Sequence, residues 1–486
     1  MKIHSKKSKY LVTRRKAMFL PMILVTVTLF LAYASLLVSL AFSNVKMAEL
    51  ENKKITSMSI AEAGLNYYLW HLSHDNLDYC DGVMKDVDQN NDNLCASASG
   101  PGENGPFVHD YEDQAGRVLG NFELYITPPS TSGSVVKVRS IGRVNGVSPK
   151  RTIDAQLGIP SFTKYTLLVN NSGPDKSGQD IGQLWLGSGE RVSGSVFVNK
   201  SGVRNDGEIT GDTYSTVTTY PSWWGTKDCI WGDGIFGGSK QCQSPEIDFN
   251  QLSSNMADME TESKVAGNTF YDTSTSNGKG YHIVLKNNSY DLYKVTSFHG
   301  IDLGINSGGE ELIGQGYPYP ERGLIFFKDD VWVEGTVSNQ KVTIVAADPA
   351  AAVNKQKRII IPNSIKYSYY DGKDKIGLIT QTNILVTRGA PTSLEIEAAM
   401  IAQSGEIKIN GYCNPASTCA NDHKSSIKVY GSMAHNGGLL WTHDYGGGKW
   451  SGYQNTETIM DNNNILNPPP YFPTTGVFSI LSWREE

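Results

Sequence analysis

Six cysteines are the residues whose types and spacing most directly suggest chemistry in this sequence. They fall in three close pairs, which are Cys80 with Cys95, Cys229 with Cys242, and Cys413 with Cys419. Close pairing predicts three local disulfides, which persist only in an oxidising compartment. The alternative is zinc bound by thiolates, but no pair has the C-x-x-C spacing and no His lies at ligand spacing from a pair. The cysteines therefore favour an exported, disulfide-bonded protein.

Alternating oxygen side chains lie between the first two cysteines, at Asp86, Asp88, Asn90 and Asp92. Such alternation suits a calcium loop, and calcium is the one cofactor that the sequence suggests. An EF-hand loop would carry Gly and Glu where this segment has Asn91 and Ser97. A solvated Asp and Asn turn closed by a disulfide is the alternative interpretation.

Aromatic residues cluster between residues 220 and 245, where we expect a surface excursion that interrupts the strands around it. The candidates for contact with a sugar or a partner protein are Trp223, Trp224, Trp231 and Phe236. A loop that tucks these rings onto the protein's own surface explains the same residues equally well.

Acidic and histidine clusters are the remaining candidates for chemistry. Asp329 with Asp330, or Asp206 with Asp212, could line the groove of a polysaccharide lyase or hydrolase. His435, His443 and Asp444 form a compact group that fits either a metal or catalytic cluster or an ordinary loop. The chain has no phosphate-binding loop, no G-x-S-x-G elbow and no H-E-x-x-H motif. The sequence therefore predicts a protein that is not an enzyme, with a carbohydrate-active enzyme as the alternative.

The element that must place these groups is an apolar run near the N terminus. Seven cations and no acid occur in residues 1–16, and no charge follows until after Val45. We predict a cytoplasmic basic segment over residues 1–16 and a transmembrane helix over 17–42. The rest of the chain would lie on the outer side of the membrane. The alternative is a signal peptide cleaved after the small residues Ser39 and Ala41, although its apolar region would be unusually long.

An amphipathic continuation of this helix is predicted over residues 43–73. Apolar residues recur at helical intervals among Lys and Glu, at Val45, Leu50, Ile55, Met58, Leu65, Tyr68 and Leu72. Such a stripe fits a helix that packs on its own domain, and it fits equally well a helix that packs into a filament.

The remainder of the chain is rich in short strands and tight turns, apart from a short helical stretch that we predict near residues 251–265. Its 49 glycines exceed the usual share of about 7%. We predict an α+β, mainly β, protein with a small disulfide-containing α/β region over residues 74–157 and a parallel β-solenoid over 158–486. No fixed repeat length is visible, so a β-sandwich remains the alternative.

The charge distribution bears on the partners of the outer region. The whole chain has a net charge of −6 although its first 16 residues are basic, so the remainder is more acidic still. This balance argues against nucleic acid as a partner, because binding to phosphates needs clustered cations.

Two segments carry a resemblance to a known group of proteins. The helix contains Ala61, Glu62, Ala63, Gly64 and Leu65, and the chain ends in NPPPYFPTTGVFSILSWREE. Together these segments resemble PilX-type pilus-assembly proteins, which are minor-pilin-like components of type IV pilus systems. The likeness to larger members extends through GSVFVNKSGVRNDGEITGD and ERGLIFFKDDVWVEGTVSNQKVTIVAAD, so it spans most of the chain.

The resemblance implies a membrane-anchored protein of type IV pilus assembly, either a minor pilin or an assembly or priming factor. Its partners would be membrane lipid and other pilus or pseudopilus subunits, with surface glycans as ligands if it is instead an adhesin. The expected location is the inner, cytoplasmic membrane, with the outer region in the periplasm, outside the cell or in pili.

The N terminus departs from the pattern of type IV pilins. Those proteins are cleaved before a Phe or Met and carry Glu five residues later, whereas Met18 and Phe19 are followed by LPMIL without an acid. The departure implies an unprocessed chain with a capping, priming or membrane-resident role.

Overall fold

The structure is a computed structural model. It describes residues 19–75, 78–81, 103–128, 135–145, 150–170, 184–222, 225–249, 251–275, 277–300, 302–410, 423–437, 439–446, 449–474 and 478–485.

The first part of the chain forms the helix α1 and four strands. Their bounds are α1 Phe19–His74, β1 Asn104–Glu112, β2 Val118–Thr127, β3 Val135–Val144 and β4 Lys150–Gly158.

The remainder consists mostly of short strands. Up to the second helix the elements are the 3₁₀ helix η1 Phe162–Lys164, β5 Leu167–Val169, β6 Leu184–Leu186, β7 Glu190–Ser193, β8 Val196–Val198, β9 Val203–Asn205, β10 Glu208–Ile209, β11 Thr213–Ser215, β12 Thr219–Ser222, β13 Gly225–Asp228, β14 Ile230–Trp231, β15 Ile235–Phe236, β16 Lys240–Gln241 and α2 Gln251–Ser263. They are followed by β17 Thr269–Tyr271, β18 Gly280–Lys286, β19 Ser289–Val295, β20 Glu310–Pro318, β21 Leu324–Phe327, β22 Val331–Val337, β23 Lys341–Ala346, the 3₁₀ helix η2 Val353–Lys355, β24 Ile359–Ile361, β25 Ile365–Tyr367, β26 Lys375–Thr380, β27 Ile384–Val386, β28 Ser393–Ala402 and β29 Ile407–Ile409. The last elements are β30 His423–His435, β31 Leu439–Leu440, β32 Thr442–Gly446, β33 Lys449–Met460, α3 Asn463–Leu466 and β34 Ser479–Glu485.

The chain divides into two compact units. The first comprises Met1–Leu157 with Ser482–Glu486, and the second comprises Gly158–Leu481. The C-terminal residues join the first unit because β34 adds to the edge of its sheet, whose strand order is β1-β2-β3-β4-β34. The sequence-based division, which assigned 158–486 to one region, differs from the structure in these last residues.

Helix α1 is uninterrupted, and it is long and apolar enough to cross a membrane. Its N-terminal part is exposed, whereas from Ser57 onward one side is buried at regular helical intervals. The buried residues are Ser57, Ile60, Ala61, Gly64, Leu65, Tyr68 and Leu72. They occur every three or four residues, so they share the helix face that packs on β2 and β3.

The predicted amphipathic stripe is buried on the sheet in its second half and exposed in its first half. Leu65, Tyr68 and Leu72 are buried, but Val45, Leu50 and Ile55 are exposed. Leu65, Tyr68 and Leu72 reach the sheet because the small residues Ala61 and Gly64 on the same face let the helix approach it closely.

The second unit is built from stacked parallel strands, which form three columns. Column 1 runs in the order β17-β21-β23-β26-β28-β30-β5-β8-β11-β16. Column 2 contains β18-β22-β24-β27-β29-β31, and β6-β9-β14 form a separate three-stranded parallel sheet. Column 3 contains β22-β25-β28-β30-β33-β7-β10-β15, because the long strands serve two columns.

The order of the strands in space is not their order in the chain. Column 1 passes from β30 directly to β5, where Met433 pairs with Leu167. Coils from the start and from the end of the unit therefore lie side by side. Successive partners such as Leu324, Thr343, Gly377 and Ala399 are unevenly spaced along the chain, which explains why no fixed repeat is visible.

In the middle of column 1, from β21 to β8, both faces of the strands are buried. In β21, Ile325 and Phe327 face the main core, whereas Leu324 and Phe326 pack with Met256 and Met259 of α2. This double burial is why strands such as β5, β8 and β21 are continuous apolar runs, as in other parallel sheets. The short helix that we expected near residues 251–265 is α2, and it covers this face.

Residues 220–245 leave the ladder at the hairpin of β12 and β13, which is a sheet of its own, so the excursion is shorter than we predicted. After this hairpin the chain returns to the parallel strands. Strand β14 extends the sheet of β6 and β9, β15 extends column 3, and β16 extends column 1. A disulfide between Cys229 and Cys242 closes this coil, with Cα atoms 6.0 Å apart. The segment continues the ladder because its short apolar pairs, such as Ile235 and Phe236, add to the strands below them.

Candidate functional site

The contact between α1 and its sheet is built from small residues. A Cβ atom on Gly142 would lie 2.1 Å from the Ser57 carbonyl oxygen and 2.5 Å from the Ala61 nitrogen. The hydroxyl of Ser140 donates a hydrogen bond of 2.8 Å to the carbonyl of Ala61. The backbone of the helix thus approaches the backbone of β3 closely, which only glycine at position 142 allows.

The Ala-Glu-Ala-Gly-Leu segment lies in this contact. Ala61, Gly64 and Leu65 are buried against the sheet, Ala63 is half-buried and Glu62 is exposed. A side chain at Gly64 would collide with Ser140 and Phe122. The segment therefore has a packing role in the structure, with the carboxylate of Glu62 left on the outer side of the helix.

A stack of aromatic and cationic side chains lies on the sheet of β6, β9 and β14. Trp185, Arg204 and Trp231 are paired in register on these three strands. The guanidinium carbon of Arg204 lies 4.5 Å from the centre of the Trp185 ring and 4.9 Å from that of Trp231. These distances match the separation of neighbouring strands, about 4.8 Å, so the sheet itself places the cation between two indole faces.

Asp206 holds the stack in position. One of its carboxylate oxygens accepts a hydrogen bond of 2.9 Å from Nε1 of Trp185 and lies 2.8 Å from a guanidinium nitrogen of Arg204. Lys227 places its ammonium group 5.5 Å from the centre of the Trp231 ring. Trp185 is nevertheless 55% exposed. The result is an oriented indole surface with fixed charges beside it.

The predicted aromatic candidates are only partly included in this stack. Trp231 belongs to it, whereas Trp223 and Trp224 lie outside the described residues. Phe236 is half-buried under the ammonium group of Lys240, at 3.5 Å. The sequence reasoning missed Trp185 and Arg204. The segment Leu184–Leu186 carried a usable signal, because a Trp between two buried leucines in a strand must point outward.

Several other candidates fall outside the described residues. These are the calcium candidates Asp86, Asp88, Asn90 and Asp92, together with Cys95, Cys413 and Cys419. Cys80 is disulfide-bonded. Among the residues that are described, no group of three or more His, Cys, Asp or Glu side chains is arranged to hold a metal ion.

The acidic pair Asp329 and Asp330 serves neighbouring turns. Asp329 accepts hydrogen bonds from Ser274 and lies 3.1 Å from the ammonium group of Lys357. Asp330 accepts a hydrogen bond of 2.7 Å from Arg358, and its burial raises the pKa of this carboxyl against the effect of that cation. Each carboxylate thus has its own cation on the next coil, which is the arrangement of a structural tie between turns.

The other acidic and histidine candidates are dispersed among different partners. Asp206 holds the stack described above, whereas Asp212 accepts hydrogen bonds from Ser239 and Tyr214, and these bonds lower its pKa. His435 is fully buried, and burial lowers its pKa to about 4. His443 and Asp444 belong to β32, but their side chains lie outside the described part of the chain.

Comparison with known proteins finds a likeness to solved structures but none to a family model. The sequence matches no protein-family model and no curated protein. The crystal structure of competence-associated pilin ComZ from Thermus thermophilus is similar over 89% of this chain and 97% of that chain, with a TM-score of 0.31 and 13% sequence identity. A likeness at this TM-score is too low to establish a common fold.

Proposed function

We propose that this chain is a non-enzymatic protein of type IV pilus assembly, anchored in the cytoplasmic membrane by α1 with its N terminus inside. The observation that carries the proposal is the division of α1 into an exposed apolar part and a part packed on an antiparallel sheet. The resemblance to PilX-type proteins in the Ala-Glu-Ala-Gly-Leu segment supports the same assignment.

The exposed part of α1 needs an apolar environment. Large side chains including Leu20, Phe30, Leu36 and Phe42 are each more than half exposed. Transfer of such surface out of water contributes about 25 cal/mol for each Å². Lipid or the apolar helices of other pilus subunits would supply this burial, and both are proposed partners.

The helix is much longer than a membrane requires. Its 56 residues span roughly 84 Å at 1.5 Å per residue, whereas a hydrocarbon core is about 30 Å thick. Residues after Phe42 would therefore project beyond the lipid. Such a projecting helix favours a subunit that stands among other helices over a simple anchor.

We further infer that the second unit is a β-solenoid. Three columns of parallel strands support this inference, since a sandwich consists of two antiparallel sheets. The residues LPMIL that follow Phe19 contain no acid, where a type IV pilin carries Glu. This difference favours an unprocessed chain and a priming, capping or membrane-resident role over that of a major subunit.

The proposal is tested by fractionation of cells together with analysis of sheared surface filaments. We expect the native protein in the membrane pellet after a salt wash, with a mature N terminus upstream of Met18 by mass spectrometry. Deletion of the gene should reduce the number of surface filaments, and the full-length protein should restore it. A freely soluble protein, or filament numbers unchanged by the deletion, would contradict the proposal, and an N terminus at Met18 or Phe19 would contradict the unprocessed form.

The indole stack favours a second function, recognition of a surface glycan. An exposed indole held in a fixed orientation beside Arg204 and Asp206 offers an apolar face together with polar groups, which is the composition of many ligand sites.

Glycan binding by the full-length protein in detergent tests this second function. Trp185→Ala should weaken binding about 10-fold or more, since an aromatic side chain at a binding hot spot contributes about 2 kcal/mol. Trp70→Ala is the matched control, because Trp70 is similarly exposed on α1. Equal binding by wild type and Trp185→Ala would exclude the stack as the site.

A further inference from the structure

A lysine, an asparagine and an aspartate meet in the interior of the second unit. Lys375 is fully buried at the start of β26, and Asp461 and Asn464 are 3% and 1% exposed. The Nζ atom of Lys375 lies 2.7 Å from Oδ1 of Asn464 and 3.3 Å from Oδ2 of Asp461. The amine of Lys375 is thus held between a side-chain carboxamide and a carboxyl group.

The segment that carries Asn464 is fixed across column 1. Thr163 donates a hydrogen bond of 2.8 Å to the backbone carbonyl of Asn464. Further along the segment, Thr343 donates a hydrogen bond to the carbonyl of Pro470, and Phe472 packs in the cluster on the outer face of the column. Because both Lys375 and Asn464 lie on ordered elements, their contact does not depend on a loose side chain.

The polar groups of this cluster are incompletely paired. Nδ2 of Asn464 is buried and, among the described residues, has no hydrogen-bond partner. Burial also lowers the pKa of Lys375, although Asp461 opposes this effect. A buried lysine of lowered pKa more readily provides the neutral amine that acts as a nucleophile.

We propose that Lys375 and Asn464 form an intramolecular isopeptide bond, with Asp461 transferring the protons. The ammonium group of Lys375 first gives a proton to the carboxylate of Asp461. The neutral Nζ then attacks Cγ of Asn464, which forms the N–C bond. The bond between Cγ and Nδ2 breaks as Asp461 protonates Nδ2 and accepts a proton from Nζ. Asp461 then passes the proton that it took from Nζ to the released ammonia, which leaves as ammonium. No oxidant, reductant or second substrate is needed.

The consequence would be a covalent tie between β26 and α3, which directly precedes the proline-rich segment NPPPYFP. This segment is the part of the C terminus that the resemblance singled out. The bond would hold it on the column, as a disulfide does for the coil closed by Cys229 and Cys242.

Mass spectrometry of the full-length protein tests the bond. After reduction of the disulfides, we expect an intact mass lower than that of the sequence by one ammonia. Trypsin should fail to cleave after Lys375 and release one branched peptide, with Asp374–Arg388 joined to Trp450–Arg484. Fragmentation of this peptide locates the bond without any variant. Two separate linear peptides with cleavage after Lys375 would overturn the proposal.

Variants assign the roles of the three residues. Lys375→Arg keeps the positive charge but removes the nucleophilic amine, and Asp461→Asn keeps the shape but removes the proton carrier, so both should yield unlinked peptides. Lys424→Arg changes another buried lysine and should retain the branched peptide. Loss of the branched peptide in Lys424→Arg but not in Lys375→Arg would place the bond elsewhere and overturn the assignment.

Discussion

The two halves of α1 differ in what surrounds them, although they belong to one uninterrupted helix. From Leu20 to Ile55 most side chains are exposed, and those of the first part are mainly apolar. From Ser57 to His74 one face is buried, and on it the small residues Ser57, Ala61 and Gly64 alternate with larger apolar ones. Burial in this protein thus follows the fit of the helix to the sheet and not the apolar character of the residues.

The difference has a physical cause. A helix packs closely on a sheet only where small side chains let the two backbones approach, as Gly64 and Gly142 do here. The first half exposes large apolar side chains all around the helix, which is typical of a helix surrounded by lipid or by other helices. The comparison therefore separates an anchoring half from a folding half.

The largest expected effect comes from removal of residues 1–42. We expect the truncated chain to leave the membrane fraction completely, because the remaining helix lacks a run of about 20 apolar residues. The first unit should still fold, since its buried helix face begins at Ser57. Fractionation together with hydrogen exchange of β2 and β3 measures both. A truncated chain that stays in the membrane pellet would show that anchoring lies elsewhere.

A substitution in the folding half should have an intermediate effect. Gly142→Val forces a side chain against the helix backbone at Ser57 and Ala61, and overpacking of this kind costs about 1–3 kcal/mol. We expect faster hydrogen exchange in β3 and unchanged membrane association. Ala32→Val in the anchoring half is the control and should leave the exchange unchanged. Equal exchange in the two variants would mean that close helix contact does not stabilise the sheet.

The smallest expected effect is the loss of a single hydrogen bond. Ser140→Ala removes the bond to the Ala61 carbonyl, which contributes about 1 kcal/mol. Exchange in β3 should become roughly 5-fold faster. Ser35→Ala removes a hydroxyl that bonds to the Ala32 carbonyl in the anchoring half, and it should have no effect on the sheet. A response to Ser35→Ala equal to that of Ser140→Ala would remove the distinction between the halves.

Much of the fold follows from local patterns. The long helix, the mainly β remainder and the short helix near residue 251 were predictable, because hydropathy and turn residues act over a few neighbours. The role of residues 220–245 was not predictable. Ile235 and Phe236 form a strand because they pair with Glu208 and Ile209 of β10. The residues near 235 in the sequence do not reveal this partner, because β10 lies in an earlier coil.

The candidate site shows the same limit. Trp231 was a candidate because other aromatic residues lie near it in the sequence. The residues around Arg204 do not indicate that it belongs to a site. Its position between Trp185 and Trp231 results from the register of three strands that are separated along the chain. Register depends on which strands stack, so a cation and two aromatic rings could not be joined into one surface beforehand.

The sequence by itself determined the apolar N-terminal helix, the pairing of cysteines Cys229 and Cys242, and the β character of the remainder, because each depends on residues close together in the chain. Only the tertiary structure decided that Met433 pairs with Leu167, that β34 joins the first sheet, and that Lys375 meets Asn464. These contacts join distant segments, and they form only where the burial and hydrogen bonding of many coils together offset the entropy of closing long loops.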